Sequence, residues 1–383
     1  MTKSTVRKKE YKPRTYFDYS LLFITLILVC IGLVMVYSTS SYYAVKQNFG
    51  DAGYFFRRQL IAAVLGVIAL IAVSKFDYFW YIKGFGKKEN IRLIYLAYVI
   101  CIGLQIYVWR FGEEVKGAKR WIKIGAFGTF QPSELTKICI ILMVAFIVYA
   151  APKRLDSIRG FGRVWFFVGP LLFLVAIENL STAIIIAGIT FLICFVVARR
   201  KWYFFVTGLI VVAGIVAFIL MGEAFRVERI DAWLNVETHD KGYQILQGLY
   251  AIASGGLWGK GLGQSMQKLG FIPESHNDMI FSVICEDLGI VGALAIILLY
   301  VLLLWRLFVV AVNAKDLYGS LICVGIMVHI AMQVLINIAV VTNTIPSTGI
   351  ALPFISYGGT SLVVLMAEMG IALSVSNRIE YER

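Results

Sequence analysis

Charged side chains are scarce in this chain of 383 residues. Asp, Glu, Lys and Arg make up 15% of the sequence, against about a quarter in a soluble domain, while hydrophobic residues reach 60%. A soluble globule cannot bury so much apolar surface, so the composition excludes a cytosolic enzyme, a coiled coil and a disordered chain. Long unbroken apolar runs predict membrane helices rather than the strands of an outer-membrane barrel.

Several catalytic and metal-binding signatures are also missing. The chain has no GxxxxGK[ST] sequence, which excludes a P-loop ATPase, and it has neither GxSxG nor HExxH. Its six cysteines lie in apolar runs without CxxC spacing, so we expect buried free thiols rather than disulfides or a metal site. The net charge of +13 is explained first by the positive-inside rule, and we expect no nucleic-acid partner.

Ten apolar runs are long enough to cross a membrane, since a spanning helix needs about 20 residues. The predicted fold is therefore all-α: a polytopic integral membrane protein with ten transmembrane helices and a long extracellular loop between helices 7 and 8. We divide the chain into a basic N-terminus (1–18), a membrane domain (19–376) and a short C-terminus (377–383). The predicted spans are 19–38, 59–74, 91–109, 134–150, 163–178, 181–198, 203–221, 279–308, 319–342 and 358–376.

The distribution of positive charge predicts the orientation. Cations cluster before the first span, which places the N-terminus in the cytoplasm, and an even number of spans returns the C-terminus to the same side. The loops that then face the cytoplasm, around 75–92, 153–163 and 199–201, are also rich in Lys and Arg. Agreement between independent loops supports this orientation.

Two loops on the predicted outer side are cationic as well. Segment 110–133 carries Arg110, Lys116 and Lys119 among others, and segment 222–278 carries Arg226 and Arg229 among others. One explanation is chance, because long loops are translocated regardless of their charge. The other is an anionic extracellular ligand, such as a lipid phosphate.

The segment GAKRWIKIGAFGTFQPSELTK contains a predicted helix start. Pro132 fits the first turn, Ser133 is a candidate cap, and Glu134 and Lys137 lie three residues apart on one face, where they can pair. An unpaired charge at that depth is costly. The pair is therefore either a structural ion pair or the polar floor of a substrate groove.

The segment FIPESHNDMIF places His276 and Asp278 just before a long apolar helix, at the expected outer face. A carboxylate there is partly desolvated, which raises its pKa and makes it a better base. Asp at a helix start is also an ordinary N-cap, and both interpretations stay open. Glu286 and Asp287 lie deeper, and for them we expect structural satisfaction.

The segment PSTGIALPFISYGGTSL, with two prolines between apolar spans, predicts a broken, re-entrant stretch. Irregular backbone at membrane depth requires burial in protein or a cavity. Its amide groups, with Ser356, Tyr357 and Thr360, are candidates for holding a phosphate or a sugar. For the lone membrane histidine His329 we expect hydrogen-bonded packing.

These three segments together resemble the signatures of the SEDS family of shape, elongation, division and sporulation proteins, and the resemblance covers nearly the whole chain. PESHNDMIF is similar to the family's catalytic-loop signature, with Asn277 where Thr is common and Met279 where Phe is common. ENLSTA and NIAVVTNTIPSTG look more like the division branch than the elongation branch. The elongation branch more often has QPDLGTA. Its proline and its acid are replaced in this chain by Glu178 and Asn179.

The resemblance implies a peptidoglycan glycosyltransferase. It would polymerise lipid II, a disaccharide-pentapeptide on undecaprenyl diphosphate, at the outer face of the bacterial cytoplasmic membrane, in septal wall synthesis. Its implied partners are a class B penicillin-binding protein, other division proteins and membrane lipids. Asp278 would be the general base.

Because a diphosphate is a good leaving group, cationic stabilisation can replace the second carboxylate of a glycosidase. No resident metal site and no certain cofactor are expected, although a divalent cation such as Mg or Mn is left open. The expected substrate-binding residues are Lys119, Arg120, Gln131, Glu134, Lys137, His276, Ser356 and Tyr357.

Three alternatives stay open. A lipid II flippase would also show polar residues inside the helix bundle, but transporters usually show repeated halves, and we find no internal repeat. A non-catalytic division scaffold would tolerate replacement of Asp278. An elongation-type polymerase would share the chemistry but act at the lateral wall.

Overall fold

The computed structural model describes residues 16–46, 50–85, 91–115, 118–123, 129–220 and 230–380. Arg226 and Arg229, Lys116, most of the basic N-terminus and the last three residues lie outside these ranges. Eleven helices carry labels below. They are α1 (Tyr19–Ala44), α2 (Tyr54–Lys75), α3 (Leu93–Phe111), α4 (Pro132–Ala150), α5 (Ile158–Glu178), α6 (Leu180–Val197), α7 (Trp202–Leu220), α8 (Tyr243–Gly255), α9 (Ile280–Asn313), α10 (Leu317–Val341) and α11 (Gly359–Ser376).

The predicted all-α membrane fold is confirmed. Within the described ranges, nine helices are long and apolar enough to cross a membrane: α1 to α6 and α9 to α11. Helix α7 coincides with the remaining predicted run, 203–221. The second run was predicted too short, because α2 begins five residues earlier, at Tyr54, and the pair Arg57–Arg58 separates these residues from the apolar run.

Two small antiparallel sheets form in the loops, which the apolar pattern did not predict. Strands β1 (Gly84–Phe85) and β2 (Ile91–Arg92) pair before α3. Strands β3 (Glu113–Val115), β4 (Ala118–Lys123) and β5 (Thr129–Phe130) form a three-stranded sheet in the order β3-β4-β5. The second sheet leads directly into α4 and positions the first cationic segment.

Among the membrane helices of the described ranges, α4 is the most enclosed, followed by α10 and α11, and α11 packs closely against α2. A β-carbon at Gly370 would lie 2.7 Å from the carbonyl oxygen of Leu70, and one at Gly66 would lie 2.9 Å from Met366 Cγ. Small residues let membrane helices approach each other closely, which strengthens van der Waals packing where lipid supplies no hydrophobic drive. This contact fixes the start of α11 beside the start of α2.

Helix α9 is broken at Gly289, whose φ of 69° and ψ of −171° are not helical. The amides after the break cannot reach the preceding turn. Instead, Ile290 N donates to the carbonyl of Gly256 over 3.0 Å, and Val291 N donates to the carbonyl of Leu257 over 3.2 Å. The loop after α8 therefore supplies acceptors to the membrane helix.

The same loop also supplies donors to the other side of the break. The carbonyls of Glu286 and Asp287, which would bond to the amides four residues later in a continuous helix, accept from Lys260 N and Gly261 N over 2.9 Å each. An unpaired backbone group costs several kcal/mol in the apolar region, so the break depends on this insertion.

The side chains of Glu286 and Asp287 hold the loop further. Glu286 accepts from Lys260 Nζ over 2.7 Å and from the hydroxyl of Ser265, while Asp287 accepts from Ser265 N over 2.8 Å. Lys268 Nζ lies 3.7 Å from an oxygen of Asp287. Both carboxylates are fully buried. The structural role expected for this acid pair is confirmed.

We predict that Gly289→Ala lowers the free energy of unfolding by roughly 2–5 kcal/mol. The left-handed φ is strained for alanine, and the added β-carbon would lie 2.3 Å from Gly259 N. Gly103→Ala in α3 is the matched control, because its β-carbon meets nothing within 4 Å. Thermal unfolding of the purified proteins in detergent measures both. Equal midpoints for the two variants would contradict the need for the break.

Candidate active site

Asp278 lies in the turn that leads into α9, with its side chain half-buried. Helix α9 begins at Ile280 with Met279 at the N-cap position and no side-chain capping bond, so the capping interpretation of Asp278 is wrong. Asn337 Nδ2 donates to the Asp278 carbonyl over 2.8 Å, and Gln244 Nε2 lies 3.5 Å from Oδ1. The main chain is held in place while the carboxylate stays partly accessible.

The segment between α10 and α11 packs directly on this turn, as irregular backbone. Tyr357 N donates to the carbonyl of His276 over 2.9 Å, and the Ser356 hydroxyl donates to the carbonyl of Asn277 over 2.7 Å. Asn337 also donates to the Ile350 carbonyl over 2.8 Å. The predicted interruption between the two helices is confirmed, its re-entrant depth in the membrane stays a prediction, and its observed role is to clamp the residues preceding Asp278.

The amides and hydroxyls of this stretch are largely engaged with protein. Gly358 N donates to Gln59 Oε1 over 3.1 Å, and the Ser356 hydroxyl also accepts from Leu352 N. The Thr360 hydroxyl donates to the carbonyl of Thr129 over 3.0 Å. The expected phosphate-holding role of Ser356 thus stays a prediction, and the observed role is structural. Gln59, which sequence reasoning missed, has its amide buried near the start of α2.

His276 is packed among aromatic rings. Its ring centroid lies 4.6 Å from that of Phe55, 5.4 Å from that of Tyr43 and 5.5 Å from that of Tyr357. The side chain is 2% exposed, and this burial lowers the pKa of His276 to about 4, against a small opposing effect of Glu274. His276 is therefore neutral at pH 7 and supplies shape rather than positive charge to an anionic ligand.

Sequence reasoning missed the cation nearest to this cluster. Arg58, an exposed residue near the start of α2, lies close enough to the Tyr357 side chain to lower its pKa, and its guanidinium carbon lies 4.6 Å from the ring centroid of Tyr54. Burial raises the pKa of Tyr357, and Arg58 opposes that rise. The available signal was the Arg57–Arg58 pair opening an apolar run on the predicted outer side, where positive charge is unexpected.

Lys119 and Arg120 lie on β4 and contact the junction between α5 and α6. Lys119 N donates to a carboxylate oxygen of Glu178 over 2.9 Å, and Arg120 Nε donates to the Glu178 carbonyl over 2.7 Å. Asn179 caps α6 by accepting from Thr182 N. The acid of the QPDLGTA pattern aligns with Asn179. In this chain Glu178 thus supplies an acid one position earlier.

A small polar cavity opens beside this junction. Its lining includes Arg120, Gln131, Ser133 and Glu178. Ser133 does not cap α4 as expected: Gln131 holds the N-cap position without a side-chain bond, and the buried Ser133 hydroxyl has no partner among the described residues. A second polar group is therefore formed by Gln131, Lys119 and Arg120. Its described contacts do not include the residues that clamp Asp278.

The predicted ion pair in α4 is confirmed. Lys137 Nζ lies 2.9 Å from Glu134 Oε1, and both side chains are buried, at 1% and 9% exposure. The Ser361 hydroxyl donates to the other Glu134 oxygen over 3.0 Å, which ties the pair to α11. Nearby, His329 Nδ1 lies 2.9 Å from both oxygens of Glu368, as expected for hydrogen-bonded packing.

Acidic side chains are too dispersed for a protein-built metal centre. Within the described part of the chain, no three His, Cys, Asp or Glu side chains converge to hold a metal ion. Mg²⁺ is commonly bound by one or two carboxylates together with substrate phosphates. A divalent cation at Asp278 would therefore need the phosphates of a ligand as its other partners.

For the ion pair we predict that Glu134→Ala and Lys137→Ala each cost about 3–5 kcal/mol, because each leaves a buried charge without its partner. The exchanged double variant, Glu134→Lys with Lys137→Glu, should be less damaged than either single variant, since Ser361 can also accept from lysine. Thermal unfolding and the amount of protein in the membrane measure the difference. A double variant as damaged as the single ones would contradict simple pairing.

For His276 we predict a stability effect at acidic pH. Its folded pKa of about 4 lies below the unfolded value near 6.5, so the neutral ring stabilises the fold above pH 6.5 and this contribution falls as the pH falls toward 4. Between pH 7 and pH 5 the loss is about 2 kcal/mol. His276→Phe should remove it, whereas His239→Phe in the same loop should not. Parallel pH profiles for wild type and His276→Phe would contradict the burial argument.

Comparison with known proteins identifies similar chains. The FtsW/RodA/SpoVE family, described as cell cycle proteins, matches residues 19–381. Stage V sporulation protein E of Bacillus subtilis is 40% identical, over 95% of this chain and 98% of its own. The probable peptidoglycan glycosyltransferase FtsW of Trichlorobacter lovleyi is 37% identical, over 97% of this chain and 96% of its own.

Two solved structures are similar over the same length. One is a chain from a structure described as "Structural coordination of polymerization and crosslinking by a peptidoglycan synthase complex". It has a TM-score of 0.77 and 26% identity, and the match covers 96% of this chain and 99% of that chain. The rod shape determining protein RodA of Thermus thermophilus has a TM-score of 0.66 and 25% identity, covering 96% of this chain and 98% of its own.

Proposed function

Because this chain belongs to the FtsW/RodA/SpoVE family of cell cycle proteins, we propose that it is a peptidoglycan glycosyltransferase that polymerises lipid II at the outer face of the cytoplasmic membrane. Relatives named probable peptidoglycan glycosyltransferase FtsW, similar over nearly their whole length, support this activity. The assignment of the active site rests on one observation. Asp278 has a half-buried carboxylate, and Asn337 binds its main-chain carbonyl.

The proposed reaction is one displacement at the donor sugar. The 4-hydroxyl of the acceptor sugar attacks the anomeric carbon of the donor, a new C–O bond forms, and the bond from that carbon to the diphosphate breaks. Asp278 takes the hydroxyl proton as general base, and the electron pair leaves on undecaprenyl diphosphate. A base must be fixed in place and accessible, and the clamp on its main chain with a half-buried carboxylate meets both needs.

Cations would stabilise the departing diphosphate. We assign Arg58 this role because it is exposed and contacts Tyr357, whose amide bonds to the carbonyl of His276, two residues before the base. Lys119 and Arg120 stay candidates from the second polar group, and their contacts with Glu178 fit a role in shaping the outer sheet. The buried Glu134–Lys137 pair is assigned to supporting the groove from below.

The biological setting is proposed more broadly. The chain would act with a class B penicillin-binding protein that crosslinks the new strands, in line with the similar chain from a peptidoglycan synthase complex. Relatives named FtsW favour the division septum over a RodA-type elongation role. The relative named stage V sporulation protein E makes sporulation the second candidate setting. Both termini would lie in the cytoplasm, as the positive-inside rule predicts.

We predict that Asp278→Asn lowers the rate of lipid II polymerisation by roughly 10²–10⁴-fold, the usual contribution of positioned proton transfer. Asparagine keeps the size and hydrogen-bonding geometry of the side chain but cannot take a proton. Asp240→Asn, at an exposed position of the same loop, is the matched control and should keep full activity. Thermal unfolding should be unchanged in both variants.

Translocation of lipid II, measured in the same vesicles, distinguishes a polymerase from the alternative, a flippase. A polymerase predicts that Asp278→Asn changes glycan formation alone. Normal polymerisation by the Asn variant would rule out Asp278 as the base. A loss confined to translocation would favour a flippase.

A further inference from the structure

The outer loop after α8 exposes an unusual run of large apolar side chains. Six of them are between 44% and 79% exposed, although the loop lies outside every predicted span. They are Leu257, Trp258, Leu262, Met266, Leu269 and Phe271. Of the two cations among them, Lys268 is 5% exposed and lies against Asp287, while Lys260, with a side chain 33% exposed, pairs with Glu286. The exposed surface of segment 257–271 is therefore mainly apolar, with Lys260 and Gln264 as its exposed polar side chains.

The depth of this segment can be measured along α1. Asp18 caps α1 and pairs with Arg306, and in the proposed orientation this ion pair lies at the cytoplasmic end of the bundle. Ser38 is the twentieth residue of α1, which begins at Tyr19, and its hydroxyl donates to Asp287 over 3.1 Å. Twenty helical residues rise about 30 Å, which equals the thickness of the hydrocarbon core. Asp287, and the loop bound to it, thus lie at the outer boundary of the core.

The apolar surface is also continuous with the lipid-facing surface of α9. Leu257 accepts the amide of Val291, which is 46% exposed, and the neighbouring Ile290 is 49% exposed. Farther along α9, Leu294 and Leu298 are 58% and 57% exposed. Because a spanning helix exposes such side chains to acyl chains, the loop extends a lipid-contacting strip to the membrane surface.

We propose that segment 257–271 is an interfacial anchor whose apolar side chains enter the acyl-chain region of the outer leaflet. Its composition fits that position, since an interfacial element carries Trp, Phe and Leu on its buried face and Trp is enriched at this depth. The anchor sets the height of the broken part of α9. It does not depend on the chemistry proposed for Asp278.

The test places an environment-sensitive NBD fluorophore on Trp258→Cys, and separately on Leu262→Cys. Both are made in the full chain with Cys30→Ala, because Cys30 is the exposed one of the six cysteines. The matched control is Glu237→Cys, an exposed polar position of the same outer loop. Each protein is reconstituted without partners in phosphatidylcholine–phosphatidylglycerol vesicles. Quenching is measured with aqueous iodide and with lipid carrying a nitroxide near the headgroup end of its acyl chain.

The anchor predicts several-fold stronger quenching by nitroxide lipid at 258 and 262 than at 237, and several-fold weaker quenching by iodide. Iodide quenching at 258 and 262 equal to that at 237 would overturn the proposal and indicate a surface left open for a protein partner. Protection from both quenchers would also overturn it, since the segment would then be covered by protein. Use of two labelled positions keeps the result decisive if one variant fails to fold.

Discussion

Backbone hydrogen bonding at the break in α9 is the constraint on which the half of the molecule that carries Asp278 depends. Gly289 interrupts a membrane helix, and the backbone groups on both sides of it bond to residues 256–261 of the loop after α8. The break is buried in protein, so water cannot replace these partners. The loop consequently completes the backbone hydrogen bonding of the helix. The buried carboxylates of Glu286 and Asp287 hold the loop in place with charge-assisted hydrogen bonds.

This constraint also determines how the candidate base is presented. With the loop fixed at one side, the turn carrying Asp278 is closed from the other side by the segment before α11, through Ser356, Tyr357 and Asn337. The bonds go to main-chain carbonyls, so they fix position without neutralising the carboxylate. The neutral ring of His276 packs among aromatic side chains beside this turn. The site is rigid in its backbone and accessible at its one acid, which suits proton transfer to a bulky lipid-linked substrate.

Apolar runs were sufficient to predict the membrane fold, because burial in lipid demands about 20 apolar residues wherever a helix crosses. Spacing within a single helix predicted the Glu134–Lys137 pair for the same local reason. Interactions between distant segments could not be predicted from the sequence. Arg58 comes close to Tyr357 only because α2 packs on α11, and no pattern in the sequence around Arg58 indicates that contact. Likewise, Ser133 looked like a cap, but backbone geometry gave the N-cap position to Gln131.

Polymerisation of lipid II by the wild-type protein distinguishes a glycosyltransferase from a flippase or a scaffold. The purified full chain is reconstituted with fluorescent lipid II, with and without a class B penicillin-binding protein, and the products are separated by size. The account predicts a ladder of glycan strands that disappears on muramidase digestion, with no requirement for a nucleotide. Unchanged lipid II in both reactions, with the protein folded and the lipid moved between leaflets, would contradict it.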